Sequence, residues 1–148
     1  MVLTRRQLLR ALDTEAVKRA IEEAERRTSG EIRVSVASLF WGDVRKNAER
    51  AFERLGMTAT AGRNGILFFV VPSRRKFVVL GDSGIHERVG PEFWRHVTAA
   101  VGERFRRGDF TGGLVHGIET VGRELAVHFP VDRERDANEL PDDVDFSG

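Results

Sequence analysis

The sequence predicts an α/β domain, a three-layer α/β/α sandwich around a small mixed β-sheet, and three observations carry that prediction. Apolar residues recur at helical spacing in four segments and at strand spacing, or as short continuous runs, in three others, in the order helix, strand, helix, strand, strand, helix, helix. A strand–helix–strand unit makes the first two strands parallel, and the short "PSRR" connection makes the third antiparallel to the second. The length, 148 residues, suits a single domain with one core. The expected boundaries are an N-terminal extension over residues 1–12, the domain over 13–130 and a polar, acidic tail over 131–148.

The elements follow in order. Asp13 or Thr14 caps a helix with Val17, Ala20, Ile21 and Ala24 on one face, and Ser29-Gly30 ends it. In "EIRVSVA" Ile32, Val34 and Val36 alternate with Arg33 and Ser35, which predicts a strand with one well-buried face. Asp43 caps a second helix bearing Val44, Ala48, Ala51, Phe52 and Leu55, which stops at Gly56, and "MTATAGR" is a loop. Ile66 to Val71 is apolar throughout, so this strand is covered on both sides, and Pro72 opens the turn into the strand Lys76–Leu80. Pro91 starts a helix with Phe93, Val97, Val101 and Phe105 on one face. The last helix, about 111–129, aligns Leu114, Ile118, Val121 and Leu125, while Gly113 and Gly117 leave a flat strip for close approach of another element.

Composition excludes several classes of function. No segment reaches the roughly 18 apolar residues of a membrane span, and the N-terminus lacks the apolar block of a signal peptide, so a chain that does not span a membrane, in the cytoplasm, is expected. Without cysteine there is no disulfide, thiolate ligand or thiol nucleophile. The 24 basic and 23 acidic residues leave a net charge of +1 with the arginines spread along the chain, so no nucleic-acid partner is expected; neither is a second copy, and the chain is read as a monomer. The motifs of P-loop, serine-hydrolase, zinc-protease and dinucleotide chemistry are absent.

The predicted topology gathers polar residues at two places. The start of strand one (Glu31), the start of strand two (Asn64-Gly65) and the end of strand three (Gly81-Asp82) fall at one edge of the sheet, with His86 and Glu87 a few residues on. Two carboxylates and an amide oxygen suit a hard divalent cation, Ca²⁺ or Mg²⁺, so Glu31, Asn64, Asp82 and Glu87 are candidate ligands. The same residues also have ordinary roles: Asn and Gly in turns, Asp82 as a helix cap, His86 as a solvated histidine. At the opposite edge Asp43 and Asp109 form a possible second cation site, and the hairpin residues Arg74 and Arg75, with Lys76, a possible anion site.

Six segments in order, "AIEEAERRTSGEIRVSV", Asp43 with "NAERAFERLGMTAT", "RNGILFFVV", "RRKFVVLGDSGIHERVGPEFW", "FRRGDFTGGLVHGIETVGREL" and "FPVDRERDANELPDDV", resemble the TPM domain family of thylakoid-lumen, photosystem II repair and receptor-modulating proteins. The resemblance implies an α/β/α sandwich that binds a divalent cation, usually Ca²⁺. It also implies a setting in membrane-protein assembly or maintenance, with a LemA-like or membrane-bound TPM protein as partner. A plant relative is regarded as a low-activity acid phosphatase. Three functions therefore compete: a cation-binding protein-interaction module, a metal-dependent phosphatase of phosphomonoesters, and a metal-free adaptor acting through its C-terminal tail.

Overall fold

The structure, a computed structural model, describes residues 12–38, 41–131 and 144–147; most of the expected N-terminal extension and tail lies outside them. Asp13 opens α1 (Thr14–Glu25) by accepting the Ala16 amide at 3.0 Å, and the helix buries Val17 and Ile21. β1 (Glu31–Ala37) follows. Asp43 opens α2 (Val44–Arg54) in the same way through the Lys46 amide, and α2 buries Val44, Ala48, Ala51 and Phe52. A 3₁₀ turn at Met57–Ala59, anchored by fully buried Met57, stands inside the segment expected to be a loop. β2 (Gly65–Val71), the 3₁₀ turn Pro72–Arg74 and β3 (Lys76–Gly81) form the expected antiparallel hairpin. Then come α3 (Ser83–Arg106), broken at Gly90 by a φ of 74°, α4 (Phe110–His128) and β4 (Asp145–Ser147).

The four strands lie in the order β3-β2-β1-β4, with β1 parallel to both β2 and β4. On one face Ile32, Val34, Val36, Ile66, Phe68 and Val70 pack with the buried residues of α1, α3 and α4. On the other, Leu67, Phe69 and Val71 pack against α2. Helices on both faces of a mixed sheet make the three-layer α/β/α sandwich that the sequence predicts. The flat strip is used: a Cβ at Gly117 would lie 2.8 Å from both Phe68 and Val101, so α4 is seated closely on α3 and the sheet. Among the described residues no helix is long and apolar enough to cross a membrane.

Three expectations change. β1 is buried on both faces, not one: its alternation is real, but Glu31, Arg33 and Ser35 are buried along with the valines between them. The helix expected to start at Pro91 starts at Ser83, capped by Asp82; positive φ at Gly90 breaks it and Pro91 restarts it, so the pattern was legible only beyond the break. Finally, the end of the polar tail is a strand. Asp145–Ser147 pairs with Ser35–Ala37, and Asp145 accepts the Ser35 hydroxyl at 2.8 Å and the Arg54 guanidinium at 2.9 and 3.4 Å. A polar residue can hold a sheet position when its partners are polar as well, which a search for apolar alternation does not detect.

Candidate functional site

The register brings the expected edge together. Glu31 of β1 is paired with Gly65 of β2, and the carbonyl of Gly65 accepts the Asp82 amide at 2.9 Å, so Glu31, Gly65 and Asp82 form one row across three strands. At the usual strand spacing the outer two Cα atoms stand about 10 Å apart, with a residue between them that has no side chain. A Cβ at Gly65 would lie 3.1 Å from the Met57 carbonyl oxygen, so the 3₁₀ turn closes over the row. Glu31 and Asp82 are both buried, at 4 and 8% exposure.

Asn64 precedes this row at 2% exposure. Its backbone amide donates to Thr60 Oγ1 at 3.3 Å, and its side-chain Nδ2 donates to Ser29 Oγ at 3.4 Å. Its Oδ1 is buried and has no hydrogen-bond partner among the described residues. An enclosed amide oxygen without a donor carries a desolvation cost of about 1–3 kcal/mol, so it is either strain or one half of an interaction.

Asp82 has two partners that the sequence did not assign together. It caps α3 through the Ser83 amide at 2.7 Å, and it takes the guanidinium of Arg63 in a two-point contact at 2.6 and 2.9 Å. Hydrogen bonding to Asp82 and its negative charge raise the pKa of Arg63. Arg63 sits in the left-handed region at a φ of 49°, and its carbonyl accepts the Gly84 amide at 2.8 Å. A Cβ at Gly84 would fall 2.1 Å from the Gly62 carbonyl oxygen, so the Gly62–Arg63 backbone rests directly on the first turn of α3. Arg63 is the residue that sequence reasoning missed. The signal was present, because the topology that placed Asn64 beside Asp82 also places the residue just before it.

The remaining candidates stand elsewhere. Glu87 is exposed on the second turn of α3, outside the row, and His86, also exposed, is stacked on Trp94 with ring centres 6.3 Å apart. Asp43 and Asp109 cap α2 and α4, which cover opposite faces of the sheet, so the fold gives them separate helix-capping roles. The hydrogen bond from the Lys46 amide, with the charges of Lys46 and Lys76, holds the Asp43 carboxyl below its ordinary value. Arg74 donates to the Gly42 carbonyl at 2.7 Å and ties the hairpin to the turn before α2, while Arg75 is exposed at the hairpin tip with a φ of 52°.

The sequence matches the TPM domain model over residues 2–124, most of the chain. The chain belongs to the TPM domain family. The same fold is seen in the NMR structure of the BA42 protein from the psychrophilic bacterium Bizionia argentinensis, which is 38% identical. That match covers 90% of this TPM protein and 91% of BA42 with a TM-score of 0.84. The N-terminal domain of the cg2496 protein from Corynebacterium glutamicum, 19% identical, shares the fold at a TM-score of 0.59 over 75% of this chain and 70% of its own. Among curated proteins, none matches this TPM sequence.

The donor set of the row suits a hard cation. With Asn64 beside its middle residue, it offers two carboxylates, one amide oxygen that has no donor among the described residues and nearby main-chain carbonyls, with no imidazole, while the end of the Met57 side chain also lies against Gly65. Among the described residues no three Asp, Glu or His side chains cluster closely enough to bind a metal by themselves, so Asn64 and the backbone would have to complete the shell. The competitor for Asp82 is Arg63.

Proposed function

We propose that this TPM domain is a divalent-cation-binding, protein-interaction module, with Glu31, Asn64 and Asp82 as the ligands for Ca²⁺ or Mg²⁺. The observation that supports it is the Asn64 Oδ1 atom, buried and, among the described residues, without a hydrogen-bond donor, beside the middle residue of a row that holds two buried carboxylates. A bound cation would give that oxygen the positive partner it lacks. Asp82 would have to release Arg63, whose half-exposed side chain can swing into solvent without opening the core. The family resemblance supplies the setting: membrane-protein assembly or maintenance, with a LemA-like or membrane-bound TPM protein as partner.

Calorimetric titration of the purified chain with CaCl₂ and MgCl₂, paired with thermal melts, tests this reading. Saturable heat and a rising melting temperature are expected, because a ligand that binds the native state alone stabilises it. Asn64→Ala should weaken binding, and Glu31→Gln should weaken it more. No heat and an unchanged melting temperature at millimolar cation would overturn the reading. Hydrolysis of an aryl phosphate that EDTA and Asp82→Asn both abolish would replace it with a metal-dependent phosphatase. The tail-only adaptor is less compatible with the fold, because removing residues 131–148 also removes β4 and its tie to Arg54.

A further inference from the structure

The two long edges of the sheet end differently. β4 covers β1 on one side, while among the described residues no strand pairs with the outer side of β3. That edge, Lys76–Gly81, is apolar from Phe77 to Leu80 and only partly buried, whereas exposed edge strands are ordinarily protected by charge, proline or a covering element. A trough of about 590 Å³ runs beside it, lined by Trp94, Thr98 and Ala99 of α3 and by Arg45 of α2. At the Lys76 end Phe77 also lines a second cavity, of about 410 Å³.

This second cavity has an aromatic wall and a cationic mouth. Phe105 lies 4.9 Å from Phe77 and 5.2 Å from Phe110 between ring centres, and all three rings are partly exposed. Arg75, Lys76 and Arg106 stand around them. Among the described residues Arg75 and Arg106 have no ion-pair partner, while Lys76 lies within the field of Asp43. The Arg106 guanidinium folds back over the pocket: an ideal Cβ at Gly102 would be 3.5 Å from its Nη1 and 3.5 Å from Phe77.

We infer that the β3 edge docks the C-terminal segment of a partner protein as an added antiparallel strand. The last side chain, apolar or aromatic, enters the Phe77–Phe105–Phe110 pocket, and the terminal carboxylate meets Arg75 and Arg106. An unpaired strand edge supplies main-chain hydrogen bonds, and pockets beside it select alternate side chains. Charge complementarity fixes the direction: with the carboxylate at the Lys76 end, the incoming chain runs against β3. A chain end is favoured over an internal segment because β3 stops at Lys76, where Arg75 and Arg106 gather, and a free terminal carboxylate is the group that answers two guanidinium groups. Guanidinium groups bind a carboxylate through paired, charge-assisted hydrogen bonds. The inference does not depend on the cation.

Fluorescence anisotropy with an N-terminally labelled peptide, Glu-Val-Thr-Val-Asp-Phe, tests it on the full chain in EDTA. Saturable binding is expected, weakened about tenfold or more when the C-terminus is amidated, since a charged hydrogen-bond partner is lost. Arg106→Gln should weaken binding about as much, and proline in place of both the threonine and the valine after it, one of whose N–H groups must face β3, should abolish it. Ala99→Gln, on the exposed face of α3, should narrow the trough and weaken binding without disturbing the core. Equal binding of acid and amide, or of the proline peptide, overturns the proposal. So does competition by 3-phenylpropionate together with indifference to Ala99→Gln, which would make the pocket a small-anion site. Absence of binding, or self-association in sedimentation that Ala99→Gln removes, also overturns it, the latter by giving the edge to a second copy.

Discussion

On the face covered by α1, α3 and α4, the two central strands present Ile32, Val34, Val36, Ile66, Phe68 and Val70, all apolar and all buried. On the face covered by α2, β2 keeps Leu67, Phe69 and Val71, but β1 presents Glu31, Arg33 and Ser35, also buried but polar. The first face gains stability from area alone, because apolar burial is non-directional. The second must satisfy each polar group separately. It does so at Ser35 by importing Asp145 from β4 and Arg54 from α2, and it places Glu31 in the row with Gly65 and Asp82. The two central strands thus bury only apolar groups on one side of the sheet, and on the other mix an apolar cluster with polar groups that need named partners.

If that division holds, the largest loss comes from the apolar face. Phe68 is among the largest fully buried side chains, and α4 packs onto it at Gly117. Phe68→Ala should cost about 3–5 kcal/mol in urea unfolding, by lost transfer energy plus the cavity left behind. A loss no larger than that of Asp145→Asn would break the comparison. Next comes Gly84, where the Gly62–Arg63 loop meets α3. In an ordinary first helical turn alanine is better than glycine. Here an added Cβ would fall 2.1 and 2.7 Å from two carbonyl oxygens, so Gly84→Ala should destabilise by about 1–3 kcal/mol. A stabilised variant would mean that the loop does not rest on the helix as described.

The apolar face was the legible one. Val17 with Ile21, Phe68 within its apolar run, and Leu114 with Ile118 announce themselves by spacing, and spacing with the βαβ rule is enough to derive the sandwich and the common edge of Glu31, Asn64 and Asp82. What failed was on the polar side. Ser35 and Arg33 look like solvated residues because burial by polar partners leaves no periodic trace. Asp145 looks like tail because its partners, Ser35 and Arg54, lie 110 and 91 residues away. Arg63 went unassigned because an ion pair depends on which way two side chains turn, and topology fixes only where their backbones stand.

The tie at Asp145 is a smaller and more specific test of the polar side. Burial pushes its carboxyl up, but hydrogen bonds from Arg54 and Ser35 and the charges of Arg54 and Arg33 more than offset this and leave it lowered. The unfolded chain therefore takes up the proton first. The contribution to stability is present above the ordinary aspartate value of 3.8 and is lost as pH falls through the lowered, folded-state value. Asp145→Asn should cost about 1–2 kcal/mol at neutral pH, less than a fully buried ion pair because Arg54 is half exposed. Urea midpoints of the two proteins, compared from pH 7 downward, should converge below pH 3.8. A gap that stays constant through that range would show that the carboxylate charge is not what holds β4.

Arg63→Gln should have the smallest effect on stability and the most informative effect on function. The guanidinium is half exposed, while Asp82 keeps the Ser83 amide whether or not Arg63 is present, so the melting temperature should change little. Cation affinity should rise about tenfold, because the variant removes the positive charge that competes for Asp82 and repels an incoming cation. Calorimetry on both proteins distinguishes the two roles of this ion pair. If Ca²⁺ binds the native chain but Arg63→Gln binds it no tighter, the ligands lie away from Asp82. If neither protein gives heat, Arg63 and Asp82 are a structural clamp on the Gly62–Arg63 loop, and the polar side of the sheet serves only to hold the fold.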